Sequence, residues 1–215
     1  MVTTVIFDMN GVITDDEGLH ERATQKTFEK VGLIVTPEIY RNYCLGRTDA
    51  SAFVDLAHDF HLKNHEVTSL ITHKSILYQD LIADNLQVYP GVVTLIEKLY
   101  QKYTLALTTS STFEEVQTVV NQMEIENRFK IIVSSNDVKH GKPYPEPYLL
   151  TAEKLGVSCE NCAVIEDSEN GVRSAVAAGM KCIAITNTES GDKLMDAHCI
   201  IDDYQEITDE LLQSL

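Results

Sequence analysis

Residues 5–14 read VIFDMNGVIT: a short apolar run, Val5-Ile6-Phe7, ends in Asp8, and the turn-forming Gly11 follows three residues later. The run is continuous rather than alternating, as in a parallel strand covered on both faces. Four more runs of this kind follow: Leu105-Ala106-Leu107, Ile131-Ile132-Val133, Ala163-Val164-Ile165 and Ile183-Ala184-Ile185. Helical patterns separate them. Phe113, Val116, Val120 and Met123 recur at spacings of three, four and three along one face, and Tyr148, Leu149, Ala152 and Leu155 precede Gly156 in a C-terminal stop position. The alternation predicts an α/β fold, a doubly wound, Rossmann-like parallel sheet.

One connection breaks the rhythm. Between the first and second runs the chain carries helical patterns and no convincing strand: Leu19, Ala23 and Val31, then Val67, Leu70, Ile71, Leu77 and Leu81. A connection of that length needs structure of its own. The expectation is an α/β core of residues 1–15 and 85–215 and an inserted all-helical cap of residues 16–84, with linkers near Asp15–Gly18 and Asp84–Pro90.

The 215 residues are 44% hydrophobic and 23% charged, enough for a full core. With 17 Lys and Arg against 33 Asp and Glu, the net charge of −16 repels phosphate backbones and anionic membranes, so no nucleic-acid or membrane partner is expected. An anionic ligand then needs local positive charge: a metal ion, a few placed Lys or Arg, or helix N-termini. The start, MVTTVIFD, lacks a signal-peptide pattern, and no segment approaches the roughly 20 apolar residues of a membrane span. Five irregularly spaced cysteines fit reduced thiols, a cytoplasmic setting. A monomer is expected. Cys159 and Cys162 have metal spacing but no second pair, and His58, His61 and His65 read as an irregular solvated group.

Ligands of open parallel sheets bind in the crevice at the strands' carboxyl ends. Asp8 and Asn10 follow the first run, Thr109, Ser110 and Ser111 the second, Lys142-Pro143 the third, and Glu166-Asp167-Ser168 the fourth. Carboxylates from two strand ends can share Mg²⁺, hydroxyls and N–H groups at a helix start can hold phosphate oxygens, and a lysine adds a point charge. Asp8 beside a metal is a plausible nucleophile toward phosphorus. Receiver domains also phosphorylate an Asp, but they are about half this length and place their acids before the Thr and Lys.

In this order the stretches FDMNGVITD, LALTTSS, GKPYPEPYL and VIEDSENGVRSAVAAGM resemble the haloacid dehalogenase superfamily, in its phosphatase and β-phosphoglucomutase-like branch with a helical cap. The resemblance spans essentially the whole chain. It implies Asp8 as nucleophile and Mg²⁺ ligand, the residue-10 backbone carbonyl as a further ligand, and Asp167, with Glu166, completing the metal site. It further implies that Thr109 and Ser110 hold the transferring phosphoryl group, that Lys142 neutralises it, and that the Lys142–Pro143 bond is cis. In the cap it implies contacts to a small phosphorylated metabolite from His20 and from Arg47 in Gly46-Arg47-Thr48; Lys74, on the long cap helix, is a third candidate for such a contact.

Asn10 departs from the family pattern, which has an acid there. An amide keeps the carbonyl for the metal but cannot exchange protons, a service worth roughly 10²–10⁴-fold. The expected function is a Mg²⁺-dependent phosphatase working through an aspartyl phosphate and impaired at position 10. The alternatives are a sugar phosphomutase or a non-catalytic phosphometabolite-binding protein.

Overall fold

The computed structural model describes residues 1–62 and 67–215; His65 lies outside them. Six strands, β1 (Thr4–Phe7), β2 (Thr104–Thr108), β3 (Ile131–Val133), β4 (Cys162–Glu166), β5 (Lys181–Ile185) and β6 (Cys199–Ile201), form one sheet. Their order is β3-β2-β1-β4-β5-β6, and every neighbouring pair is parallel. The strand order reverses at β1, so the crevice opens where Asp8 leaves the sheet. Strand β6, Cys199-Ile200-Ile201, is not among the five runs read from the sequence: it is a partly exposed edge strand flanked by His198 and by Asp202-Asp203, so its two isoleucines do not stand out as a buried run.

Successive residues of β1 point to opposite faces. Val5 and Phe7 enter a core with Val92, Ile96 and Leu99 of α5 (Val92–Tyr100), Val116 and Val120 of α6 (Phe113–Gln122), and Leu212 of α9 (Asp209–Ser214). Ile6 faces the other way, toward Tyr148 and Ala152 of α7 (Glu146–Leu155) and Val172 and Ala175 of α8 (Glu169–Ala177). Gly156 ends α7 in the left-handed conformation, as its position predicts. Two residues expected to face inward do not: Phe113 and Leu149 are exposed, because Glu115, Val116, Val119 and Val120, and Tyr148 and Ala152, fill those faces.

Among the described residues, four helices run between β1 and α5: α1 (Glu17–Glu29), α2 (Pro37–Tyr43), α3 (Asp49–Asp59) and α4 (Val67–Ile82). They share a small core of their own, with Phe28 edge-on to Phe53 and both packed among Leu56 and Leu70. At its base this layer merges with the sheet's core through Ala23, Tyr78 and Ile82. The two connecting stretches run side by side: the Asp15 N–H donates to the Gln87 carbonyl at 2.9 Å, and the Tyr89 N–H to the Ile13 carbonyl at 3.1 Å. Among the described residues, no helix is long and apolar enough to cross a membrane.

Candidate active site

A polar residue follows each strand of the crevice, Asp8 after β1, Thr109 after β2, Ser134 after β3 and Asp167 after β4. Thr112 caps α6 in a reciprocal capping box with Glu115, which sets Thr109, Ser110 and Ser111 at the helix entrance. Ser168 caps α8 by accepting from the Gly171 N–H at 3.2 Å, which leaves Asp167 at the sheet edge.

Asp8, Glu166 and Asp167 are buried, and one carboxylate oxygen from each lies within 4.8 Å of the others. Lys142 Nζ donates to Asp8 Oδ1 at 2.6 Å and to Glu166 Oε1 at 2.5 Å. Tyr148 donates to the same Glu166 oxygen at 2.6 Å, while Glu166 Oε2 accepts from the Ser168 hydroxyl and the Asp167 N–H. Glu166 is thus buried beneath the cavity and held as a brace for Lys142. Burial pushes Asp8 up to about 7 against the pull of Lys142. Asp167 is pushed well above the carboxylate range by burial, then by Glu166 and Asp8. Burial works against the Lys142 charge, but Asp8 and Glu166 outweigh it. Three buried carboxylates thus lie together with one ammonium that pairs with only two of them, and an oxygen-seeking divalent cation fits that donor set. Gly11 is part of the same arrangement. A Cβ there would lie 1.8 Å from Asp167 Oδ2, and its φ of +80° suits glycine. The Lys142–Pro143 bond is cis, as the resemblance implies.

A cavity of about 50 Å³ lies above this cluster. Apart from Glu166, all the residues singled out from sequence line it: Asp8, Asn10, Thr109, Ser110, Lys142 and Asp167 from the core, and His20, Arg47 and Lys74 from the cap. Small-molecule sites usually span about 300–1,000 Å³, and this cavity is well below that range.

The Asn10 side chain is fully engaged. Its Nδ2 donates to both oxygens of Asp16, at 3.1 and 3.0 Å, and lies 3.0 Å from His20 Nε2. Its Oδ1 accepts from Ser111 at 2.7 Å and from Thr109 at 3.3 Å. Asp16 also accepts from Thr14 and Tyr78, and burial raises its carboxyl above the usual range. His20 stacks on Tyr78 with ring centroids 3.9 Å apart, and burial, helped by Lys74, holds it well below its ordinary value.

The cap residues differ in what holds them. Lys74 is 2% exposed and reaches His20 Nδ1 at 2.7 Å, Asp49 at 3.0 Å and Glu115 of the core at 3.2 Å. Arg47 is turned within the cap, toward the Tyr43 carbonyl and Asp55. Ser110 donates to the Gly46 carbonyl at 3.4 Å, and Asn170 Nδ2 to the Leu45 carbonyl at 3.0 Å, both across the cap–core boundary. Asp49 follows Thr48, the N-cap of α3, and pairs with Lys74.

The sequence reading treats Asp16 and Glu17 as linker, takes Ser111 only as one of the hydroxyls after the second run, and gives Glu115 and Tyr148 no place in the site. An Asp-Asp-Glu run between a strand and a helix looks like a solvated N-terminus. The available signal was that an amide at position 10 needs an acceptor. Asp16 sits at the N-cap of α1 yet makes no side-chain capping bond.

A family model for haloacid dehalogenase-like hydrolases matches residues 5–185. A phosphorylated carbohydrates phosphatase of Thermotoga maritima is 31% identical over 208 residues, which are 91% of each chain. Among solved structures, a β-phosphoglucomutase from Clostridium difficile superposes with a TM-score of 0.89 at 25% identity, covering 100% of this chain and 96% of that one. An Asp-to-Asn variant of CbbY from Rhodobacter sphaeroides, in complex with xylulose-(1,5)bisphosphate, gives a TM-score of 0.87 at 25% identity and 96% coverage of each chain.

Proposed function

Because the chain belongs to the haloacid dehalogenase-like hydrolase family and is 31% identical to a phosphorylated carbohydrates phosphatase, we propose that it is a Mg²⁺-dependent phosphatase of small phosphorylated carbohydrates. The observation that carries this reading is the Asp8–Glu166–Asp167 cluster with Lys142 at the reversal point of the sheet.

In this reading Asp8 attacks phosphorus and carries the phosphoryl group until water removes it. Asp8, Asp167 and the Asn10 backbone carbonyl would hold Mg²⁺, with Glu166 behind them. When bound, the ion neutralises charge on the phosphoryl oxygens. Lys142 supplies a second positive charge from the other side, held in place by Glu166, which Tyr148 in turn braces. Thr109 and Ser110 present a hydroxyl and an N–H group at the entrance of α6. They orient the phosphoryl group in line with Asp8. Cap closure excludes water other than the attacking molecule. Arg47 leaves Asp55 to take the distal group of the substrate.

The domain division follows from the same logic. Residues 16–84 move as a lid on the paired linkers, while residues 1–15 and 85–215 hold the chemistry. The likeness to a β-phosphoglucomutase favours a second reading, phosphoryl return to a sugar hydroxyl rather than to water.

The test is a panel of sugar and polyol phosphates with Mg²⁺, including β-glucose 1-phosphate. Phosphate release is expected, and isomerised sugar phosphate without release selects the mutase. Mg²⁺ should raise the melting temperature of the wild type and not of Asp167→Asn. Equal stabilisation of both proteins rules out the assigned metal site.

A further inference from the structure

Phosphoryl transfer from an alkyl ester through Asp8 calls for a proton at the departing oxygen and removal of one from the attacking water. The Asn10 amide can do neither. Three carboxyl groups and one histidine outside the cation cluster are the acid–base candidates near it. Asp16 lies behind Asn10, off the cavity, with both oxygens taken by Asn10, Thr14 and Tyr78. Asp49 is tied to Lys74 at 3.0 Å. Both ring nitrogens of His20 face donors, Lys74 and the Asn10 amide.

Glu17 is different. It is the first residue of α1, on the cap side of the first linker, and it opens onto the same cavity as Asp8. Its one side-chain hydrogen bond among the described residues comes from the Tyr40 hydroxyl to Oε1, at 2.5 Å. Among the described residues no Lys or Arg forms an ion pair with it and Oε2 accepts no hydrogen bond, so that oxygen can meet substrate or water.

We propose that Glu17 is the proton-transfer residue of this chain, standing in for the acid that position 10 lacks. The assignment rests on the phosphatase reading above. In the first step Asp8 Oδ forms a bond to phosphorus, the bond from phosphorus to the ester oxygen breaks, and the Glu17 carboxyl gives its proton to that oxygen. The alcohol departs and Glu17 is left as carboxylate. In the second step Glu17 takes a proton from water as the water oxygen bonds to phosphorus. The bond to Asp8 breaks, and phosphate leaves with both carboxyl groups restored. Tyr40 fixes the orientation of the carboxyl, and cap closure brings it to the substrate, so proton transfer is available only in the closed form. Its environment suits both roles. Burial pushes Glu17 up to about 7, with the charges of Asp16 and Asp8 adding and Tyr40 and Lys74 opposing. A group titrating near neutrality serves as acid and then as base.

The experiment compares wild type, Glu17→Gln and Glu17→Asp with Mg²⁺ on glycerol 1-phosphate and p-nitrophenyl phosphate, with rapid-quench intact mass spectrometry for phospho-Asp8. Glu17→Gln should lower kcat on glycerol 1-phosphate by about 10²-fold or more. On p-nitrophenyl phosphate, whose nitrophenolate leaves unprotonated, the phosphoenzyme should still form and then accumulate. Glu17→Asp keeps the carboxyl and should recover part of the rate; it also stands in should the amide variant fail to fold. Unchanged kcat on both esters, or a raised KM with unchanged kcat, overturns the assignment and leaves Glu17 a contact residue. Wild type that releases phosphate from neither ester overturns the phosphatase reading, and the assignment with it.

Discussion

Asn10 donates through its amide nitrogen to a carboxylate and accepts through its oxygen from two hydroxyls. Each half of the amide therefore meets the partner its chemistry requires, so position 10 is matched to Asp16 rather than simply missing an acid. Asn10→Asp would set one carboxylate about 3 Å from another in a buried place. The loss of a buried donor costs about 1–3 kcal/mol. The single variant should lose that much stability in urea unfolding. Adding Asp16→Asn restores the donor from the other side, and the double variant should regain most of the loss. Strictly additive effects would show that the two side chains do not interact.

Helix α8 begins against the acid cluster, and Gly171 is where the two meet. A Cβ there would fall 2.0 Å from the Glu166 carboxyl atoms. Alanine in a helix interior is ordinarily better than glycine by about 1 kcal/mol. Here overpacking, at about 1–3 kcal/mol, is the larger effect, and it displaces a carboxylate bonded to Lys142 and Tyr148. Gly171→Ala should therefore lower both the melting temperature and Mg²⁺-dependent phosphatase activity. A variant more stable than wild type with full activity would show that Glu166 can move at no cost. The helix itself was legible in sequence, since ENGVRSAVAAGM has a Ser cap before it and Gly179 after it. The contact was not, because Glu166 and Gly171 belong to different elements whose approach depends on how α8 lies on the sheet.

Cap and core are joined by a buried ion pair, Lys74 with Glu115, and by the hydrogen bonds to Gly46 and Leu45. With Glu115→Gln, Lys74 keeps Asp49 in the closed form, but opening would hydrate an ammonium that has lost one of its two counter-charges. The variant should shift the closed-to-open equilibrium toward open by about tenfold, equivalent to ~1.4 kcal/mol. Small-angle scattering should show a larger radius of gyration than wild type, reduced when Mg²⁺ and a phosphate mimic are added. Identical curves for the two proteins would show that Lys74–Glu115 does not latch the cap.

The apolar runs set the parallel strands, because burial on both faces demands continuous hydrophobicity, and the caps and glycines set where most helices start and stop. Asp8, Thr109, Lys142 and Asp167 could be named from the chain because each follows a strand, and the carboxyl ends of parallel strands share one crevice. Glu17, Asp16 and Glu115 could not. Their spacing is that of solvated acids at helix starts, and Lys74 likewise reads as a surface lysine. Folding the cap onto the core removes water from all four at once. Partners that decide their charge and hydrogen bonding come from segments up to 62 residues away, as Tyr78 does for Asp16. Local pattern encodes which face of an element is apolar; only the docking of two layers determines which polar groups lose their water together.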